Sequence, residues 1–152
     1  MNQKVMFGSE SSEWETPDDL FKQLDREFHF TLDAAASDSN YRCEQYITKA
    51  GNGLEHSWDT DGAVWVNPPY GKGVEKWIQR AYDQCIANAL TVVMLLPART
   101  DTKWFHKYAG LKHVEIRFLK GRLKFKGAPA PAPFPSLLLI FRPGGKYEFW
   151  RA

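Results

Sequence analysis

The segment Val66-Asn67-Pro68-Pro69-Tyr70-Gly71 carries the clearest chemistry in the sequence. An exocyclic amine such as the N6 of adenine is a poor nucleophile, because its lone pair is delocalised into the ring. A protein raises its reactivity by accepting hydrogen bonds from both amine hydrogens, which favours a more tetrahedral nitrogen. The Asn67 side-chain oxygen is one such acceptor, and the backbone carbonyl of Pro68 is the natural second. Pro68 and Pro69 stiffen the loop and remove competing N–H donors. Acceptors set where positive charge develops stabilise the transition state more than the ground state. Tyr70 offers a flat face for a base lifted from its stack, worth roughly 1–3 kcal/mol against a flipping cost of a few kcal/mol. Gly71 and Gly73 permit a sharp turn. Asn-Pro-Pro alone also describes an ordinary strand end. The full hexapeptide, between an apolar strand and an amphipathic helix, supplies the context a motif needs.

A second centre is Asp33, followed by Ala34-Ala35-Ala36-Ser37. An acid at a strand end suits the ammonium group of a ligand, with small residues leaving room for it. The same acid also reads as an ordinary turn cap. Thr16-Pro17-Asp18-Asp19 reads as a helix opening, with Thr16 as N-cap, Pro17 at the first helical position and Asp19 in the capping-box position. Capping does not explain Trp14. A third group is basic: Lys112, Arg117, Lys120, Arg122, Lys124 and Lys126 cluster with one acid, Glu115, and Arg99, Lys103 and Lys107 extend the surface. It suits phosphate contact, or a strand edge protected by lysines. The four histidines are scattered and Cys43 and Cys85 stand alone, so no metal site is expected.

These residues need elements to hold them. Leu20, Phe21, Leu24 and Phe28 continue a helix after Pro17. Residues 30–33 read as a short strand ending at Asp33, residues 45–48 as another, and Ala63-Val64-Trp65-Val66 as a buried strand. Val74, Trp77, Ile78, Ala81, Tyr82, Cys85, Ile86 and Ala89 share one face of the clearest helix. Thr91–Leu96 is a continuous apolar strand stopped by Pro97, as in the centre of a parallel sheet. Asp101 opens a short helix bearing Trp104, Phe105 and Tyr108, with Gly110 at its end. Residues 114–119 alternate like a strand, which Gly121 turns into a hairpin partner at 122–125. The Ala/Pro tract 127–135 is a stiff loop. Residues 136–141 form a last buried strand and 146–151 an edge strand. The pattern is an open α/β sheet with antiparallel strands at its end. Ligands of such sheets bind beyond the strands' carboxyl ends, so Asp33, Asn67 and Pro97 should share one rim.

With 152 residues, 43% of them hydrophobic, the chain suffices for one domain: a flexible start over 1–13 and a single compact unit over 14–152. No stretch approaches the roughly 20 apolar residues that span a bilayer, and the first residues contain no apolar signal core. Two lone cysteines fit a reduced, cytoplasmic protein without disulfides. Residues 1–61 hold five Lys/Arg against thirteen Asp/Glu, and residues 62–152 hold fifteen against five. That asymmetry points to an anionic partner for the second half, or to two halves that face each other.

Several segments together resemble the small phage-type DNA N6-adenine methyltransferases, the phage Dam family. They are Trp14-x-Thr16-Pro17, Leu32-Asp33-Ala34-Ala35-Ala36-Ser37, Gly53-Leu54 with Trp58, Trp65 to Tyr70, Met94 to Asp101, Gly121-Arg122-Leu123-x-Phe125 and Pro135-Ser136-Leu137. The resemblance runs from about Trp14 to Arg142. It implies a class I (Rossmann-like) methyltransferase fold, S-adenosylmethionine as methyl donor, no metal, and N6-methyladenine in double-stranded DNA as product. It assigns catalysis to Asn67, Pro68, Pro69 and Tyr70. Donor contact falls on Trp14, Thr16, Pro17, Asp33, Ala34, Ala35 and Asn67. Arg99, Lys103, Lys120, Arg122, Lys124 and Lys126 are then the expected DNA contacts. A phage-encoded enzyme of this kind would work in the cytoplasm of its bacterial host. LDAAAS replaces the Gly-rich cofactor loop of larger relatives, and no separate target-recognition domain is present, so residues 38–57, 98–112 and 120–135 are the candidates for reading a site. Asn-Pro-Pro-Tyr alone is shared with RNA-adenine and protein-glutamine methyltransferases, which offer Asn67 the same planar NH2. An inactive nucleic-acid-binding protein of the same fold is the reading outside enzymology.

Overall fold

In a computed structural model, residues 14–144 are described. The expected flexible start at 1–13 and edge strand at 146–151 lie outside them. The element order is α1 (Asp18–Phe28), β1 (Phe30–Asp33), β2 (Gln45–Tyr46), β3 (Ala63–Val66), α2 (Val74–Asn88), β4 (Val92–Pro97), α3 (Lys103–Tyr108), β5 (Val114–Phe118) and β6 (Ser136–Phe141). Six strands form one sheet in the order β2-β1-β3-β4-β6-β5. The first four are mutually parallel, while β6 runs antiparallel to both β4 and β5.

The apolar run of β4 is buried throughout because both faces of the sheet are covered. Val92, Met94 and Leu96 face a core shared with Ile78, Ala81 and Cys85 of α2 and Trp104 and Tyr108 of α3. Val93 and Leu95 face a second core with Phe21 and Leu24 of α1, joined by Phe125, Ala132 and Phe134 from the segment between β5 and β6. That segment covers the sheet as a helix would, without being one.

Five local expectations need correction. Helix α1 is preceded by Pro17 in an extended conformation with no side-chain cap, so neither Thr16 nor Asp19 caps it; the Thr16 hydroxyl is engaged by Asn67 instead. Thr102, not Asp101, caps α3 by accepting the Phe105 N–H. Strand β2 is only two residues long. On α2, Ile86 is 57% exposed and Gln84 is buried in its place, because Gln84 Oε1 accepts the Trp58 N–H at 2.8 Å. Finally, residues 122–125 form no strand, since β5 takes β6 as its partner. Their alternation has another cause: Leu123 and Phe125 dip into the second core, leaving Arg122 and Lys124 in solvent.

Candidate active site

Asp33, Asn67 and Pro97 close or follow the parallel strands β1, β3 and β4, which are adjacent in the sheet. They share the rim that the topology demands. A cavity of about 530 Å3 opens there, lined by Trp14, Thr16, Asp33, Ala34, Ala35, Asn67 and Pro69, among others. That volume is in the range of small-ligand sites, about 300–1,000 Å3. Its wall also includes Arg42, Thr48, Asn52 and Trp77, to which the sequence reading gave no contact with the donor. Gly53 also lines it, and the packing requires glycine there: a Cβ would sit 2.3 Å from the Ala34 carbonyl oxygen and 2.8 Å from the Trp77 ring. Trp58, fully buried, fixes this wall by donating its indole N–H to the Gly53 carbonyl at 2.8 Å.

Asp33 is 4% exposed. Burial pushes its carboxyl up to about 6, although the backbone N–H groups of Arg42 and Ala35 donate to it and oppose the shift. The Arg42 guanidinium holds the segment before α1 by bonding Asp18 and the Thr16 carbonyl. A cavity with one buried carboxylate, polar Thr48 and Asn52, and the flat Trp77 ring has a donor set that fits an amino-acid-bearing nucleoside with a free ammonium group.

The loop after β3 turns through Gly71 and Gly73, both at positive φ (96° and 92°), which glycine adopts without strain. Within it, the Asn67 amide nitrogen donates to the Trp14 carbonyl at 2.5 Å and to Thr16 Oγ1 at 3.1 Å. Its oxygen accepts the Tyr70 hydroxyl at 2.8 Å. That hydroxyl also lies 3.1 Å from the Leu95 carbonyl, and burial raises its pKa, so it remains a donor. Tyr70 is not the open platform expected for a base. It is 8% exposed, with Phe125 and Phe134 packed edge-on against its ring.

The expected phosphate contacts separate into two groups. Arg99, Lys103, Lys120, Arg122, Lys124 and Lys126 are all exposed, and the chain that carries them leaves from the ends of β4 and β5 on the site's own rim. Arg99 lies over the Phe134 ring, which in turn contacts Tyr70. Arg117 is instead committed internally to Glu27 and Glu115, and Lys107 donates to Gln79; Lys126 stays in the exposed group although it also stands 3.6 Å from Asp18. Among the described residues, no group of His, Cys, Asp and Glu is placed to hold a metal. No helix among them is long and apolar enough to cross a membrane. Cys43 and Cys85 are buried thiols, pushed up to about 12 and about 11 by desolvation.

Two known proteins are similar to this chain. A DNA N-6-adenine-methyltransferase of Escherichia phage T1 is 36% identical over 93 residues, covering 60% of this chain and 38% of its own length. One from Haemophilus phage HP1 (strain HP1c1) is 28% identical over 146 residues, covering 91% of this chain and 83% of its own. The family described as DNA N-6-adenine-methyltransferase (Dam) matches residues 5–144, nearly the whole sequence, and the chain belongs to that family.

Proposed function

We propose that this chain methylates the N6 amine of adenine in double-stranded DNA, on a class I methyltransferase fold, with Asn67 and the Pro68 carbonyl as the acceptors that engage the amine. The observation that carries the reading is the placement of Asn67 at the end of β3, in one cavity with the buried carboxylate of Asp33. The strand order, three adjacent parallel strands ending on that rim with antiparallel β6 beyond them, is the support for the class.

S-adenosylmethionine, when bound, supplies the methyl group. Asp33 would hold its ammonium through charge, while Ala34 and Ala35 leave the approach open and Trp14 and Thr16 line the cavity beside them; Pro17, the next residue in the chain, is not among the lining residues. Asn67 then orients the adenine amine and raises the electron density on its nitrogen. An amide oxygen accepts hydrogen bonds but is not a base, so the proton released from N6 passes to water. The exposed cations Arg99, Lys103, Lys120, Arg122, Lys124 and Lys126 hold DNA phosphates around the site, and a few kcal/mol must be found to flip the base.

The test uses labelled S-adenosylmethionine with unmethylated duplex DNA, digestion to nucleosides and separation of N6-methyldeoxyadenosine. Label in that nucleoside, lost in Asn67→Ala by at least about a hundredfold, is the expected result. Full activity in Asn67→Ala would remove the mechanism. Label on RNA or on a glutamine instead of DNA would move the substrate, and absence of donor binding would leave an inactive fold.

A further inference from the structure

Asn67 is a symmetric-looking group with an asymmetric task. Its amide must present oxygen, not NH2, to a substrate that itself carries NH2. Rotating the amide by half a turn exchanges the two ends at little steric cost, and it would set donor against donor. Something outside the loop must therefore fix the choice. Counting hydrogen bonds shows what does. The amide has two N–H donors and two oxygen lone pairs. Trp14 carbonyl oxygen takes one donor and Thr16 Oγ1 the other. Tyr70 hydroxyl occupies one lone pair. One acceptor position remains, and no donor does.

We propose that Thr16 is a positioning residue for methyl transfer: its hydroxyl oxygen, beside the Trp14 carbonyl, locks Asn67 with its oxygen free for the adenine amine. The proposal rests on Asn67 being the acceptor proposed above, and it reassigns the Thr16 hydroxyl from donor contact to orientation of the loop.

Thr16 is unusually well held for this purpose. It is 2% exposed. On one side, Glu15 forms a bridge with Lys126, whose N–H donates to the Glu15 carbonyl at 3.0 Å. On the other, Pro17 fixes the backbone, and the Arg42 guanidinium bonds the Thr16 carbonyl itself. Arg42 is secured in turn by Asp18. A side chain carried on a backbone held from three sides does not follow Asn67; Asn67 follows it. The helix-opening reading of Thr16 also finds its replacement here, since the hydroxyl that does not cap α1 is the one that meets Asn67.

Thr16→Val keeps the shape and removes the acceptor, leaving one Asn67 N–H unsatisfied. Turnover at saturating donor and DNA is expected to fall about ten- to hundredfold. The donor dissociation constant, measured by calorimetry, should stay within about twofold, and Thr16→Ser should restore most of the rate. The Asn67 side-chain NH2 resonances, identified by their loss in Asn67→Ala, should show faster hydrogen exchange in Thr16→Val than in the parent. Weaker donor binding with unchanged turnover would make Thr16 a donor contact and overturn the proposal. So would unaltered Asn67 NH2 signals, or a Thr16→Ser rate as low as that of the valine variant. Thr16→Cys, whose sulfur is a weak acceptor, repeats the test if valine disturbs folding. An active Asn67→Ala enzyme would instead defeat the underlying reading. Loss of activity in Asn67→Ala with full activity in Thr16→Val would defeat only the role of Thr16.

Discussion

Asp33 carries a charge in a place where charge is costly. Its carboxyl is pushed up to about 6 by burial, so below that pH it is mostly neutral in the folded chain. A donor ammonium paired with it requires the ionised form. If Asp33 meets that cation, donor affinity rises with pH through about 6 and then levels, with most of one proton released on binding near pH 5, about half of one at pH 6 and almost none near 8. Calorimetry in buffers of different ionisation enthalpy reads that proton directly, and an affinity flat from pH 5 to 8 would separate Asp33 from the donor. The acid itself was legible in the sequence as a strand-end residue. Its pairing with the Arg42 and Ala35 N–H groups was not, because the first partner is nine residues away and reaches it only through an irregular turn. Asn67 shows the same limit. Its own role follows from the loop in which it lies, but its partner Thr16 is 51 residues distant, and local patterning gives no hint of contacts at that range.

Elements with a regular period were readable; the one that matters most beside the site was not. Strands β1, β3, β4 and β6 and helix α2 announce themselves by continuous or helical apolar spacing, since their burial is repeated along the chain. The segment 119–135 has two apolar anchors at a spacing that imitates a strand, and its real conformation is dictated by the surface it covers. Phe125 is 1% exposed, against Trp14, Tyr70 and Phe134. Phe125→Ala should cost about 3–5 kcal/mol in chemical denaturation, with loss of transfer activity, because the segment also braces Tyr70 and the Glu15 bridge. A loss under about 1 kcal/mol would mean the segment covers the core loosely. The exposed side of the same segment gives a separate expectation. Replacing Lys120, Arg122 and Lys124 together by Ala should leave stability nearly unchanged and reduce the salt slope of DNA binding by about 2 to 3, at roughly 0.9 per lost phosphate contact. An unchanged slope would remove this face from the DNA interface.

Across the whole molecule, the acidic first half and basic second half meet before any partner does. Glu27 of α1 pairs with Arg117 of β5, and Glu115 holds both Arg117 and Arg142, with the two guanidinium groups over the Phe28 ring. The sequence shows the imbalance of charge; which cations are spent internally depends on the sheet order that sets β5 and β6 beside α1. This division also fixes how stability should depend on pH. Hydrogen bonds from Arg117 hold Glu27 below its ordinary value of 4.5. In Glu115, burial acts upward but hydrogen bonds from Arg117 and Arg142 outweigh it, and Asp18 is held down by Arg42. Carboxyls of depressed pKa contribute stability that is present above their unfolded values and lost as pH falls through the folded ones. Asp33 has the opposite sign. Between its ordinary 3.8 and about 6 the folded state binds the extra proton, so its contribution grows as pH falls through that window. Thermal melts of the donor-free protein should therefore show greatest stability near pH 5, between the two effects. Added S-adenosylmethionine should shift that maximum upward, because a cation at Asp33 favours the ionised form that burial opposes. Asp33→Asn should flatten the pH dependence above 5 and abolish the donor-induced shift. A maximum that does not move with donor, in the presence of proven binding, would mean that Asp33 is a buried structural acid and that the ammonium is held elsewhere in the cavity.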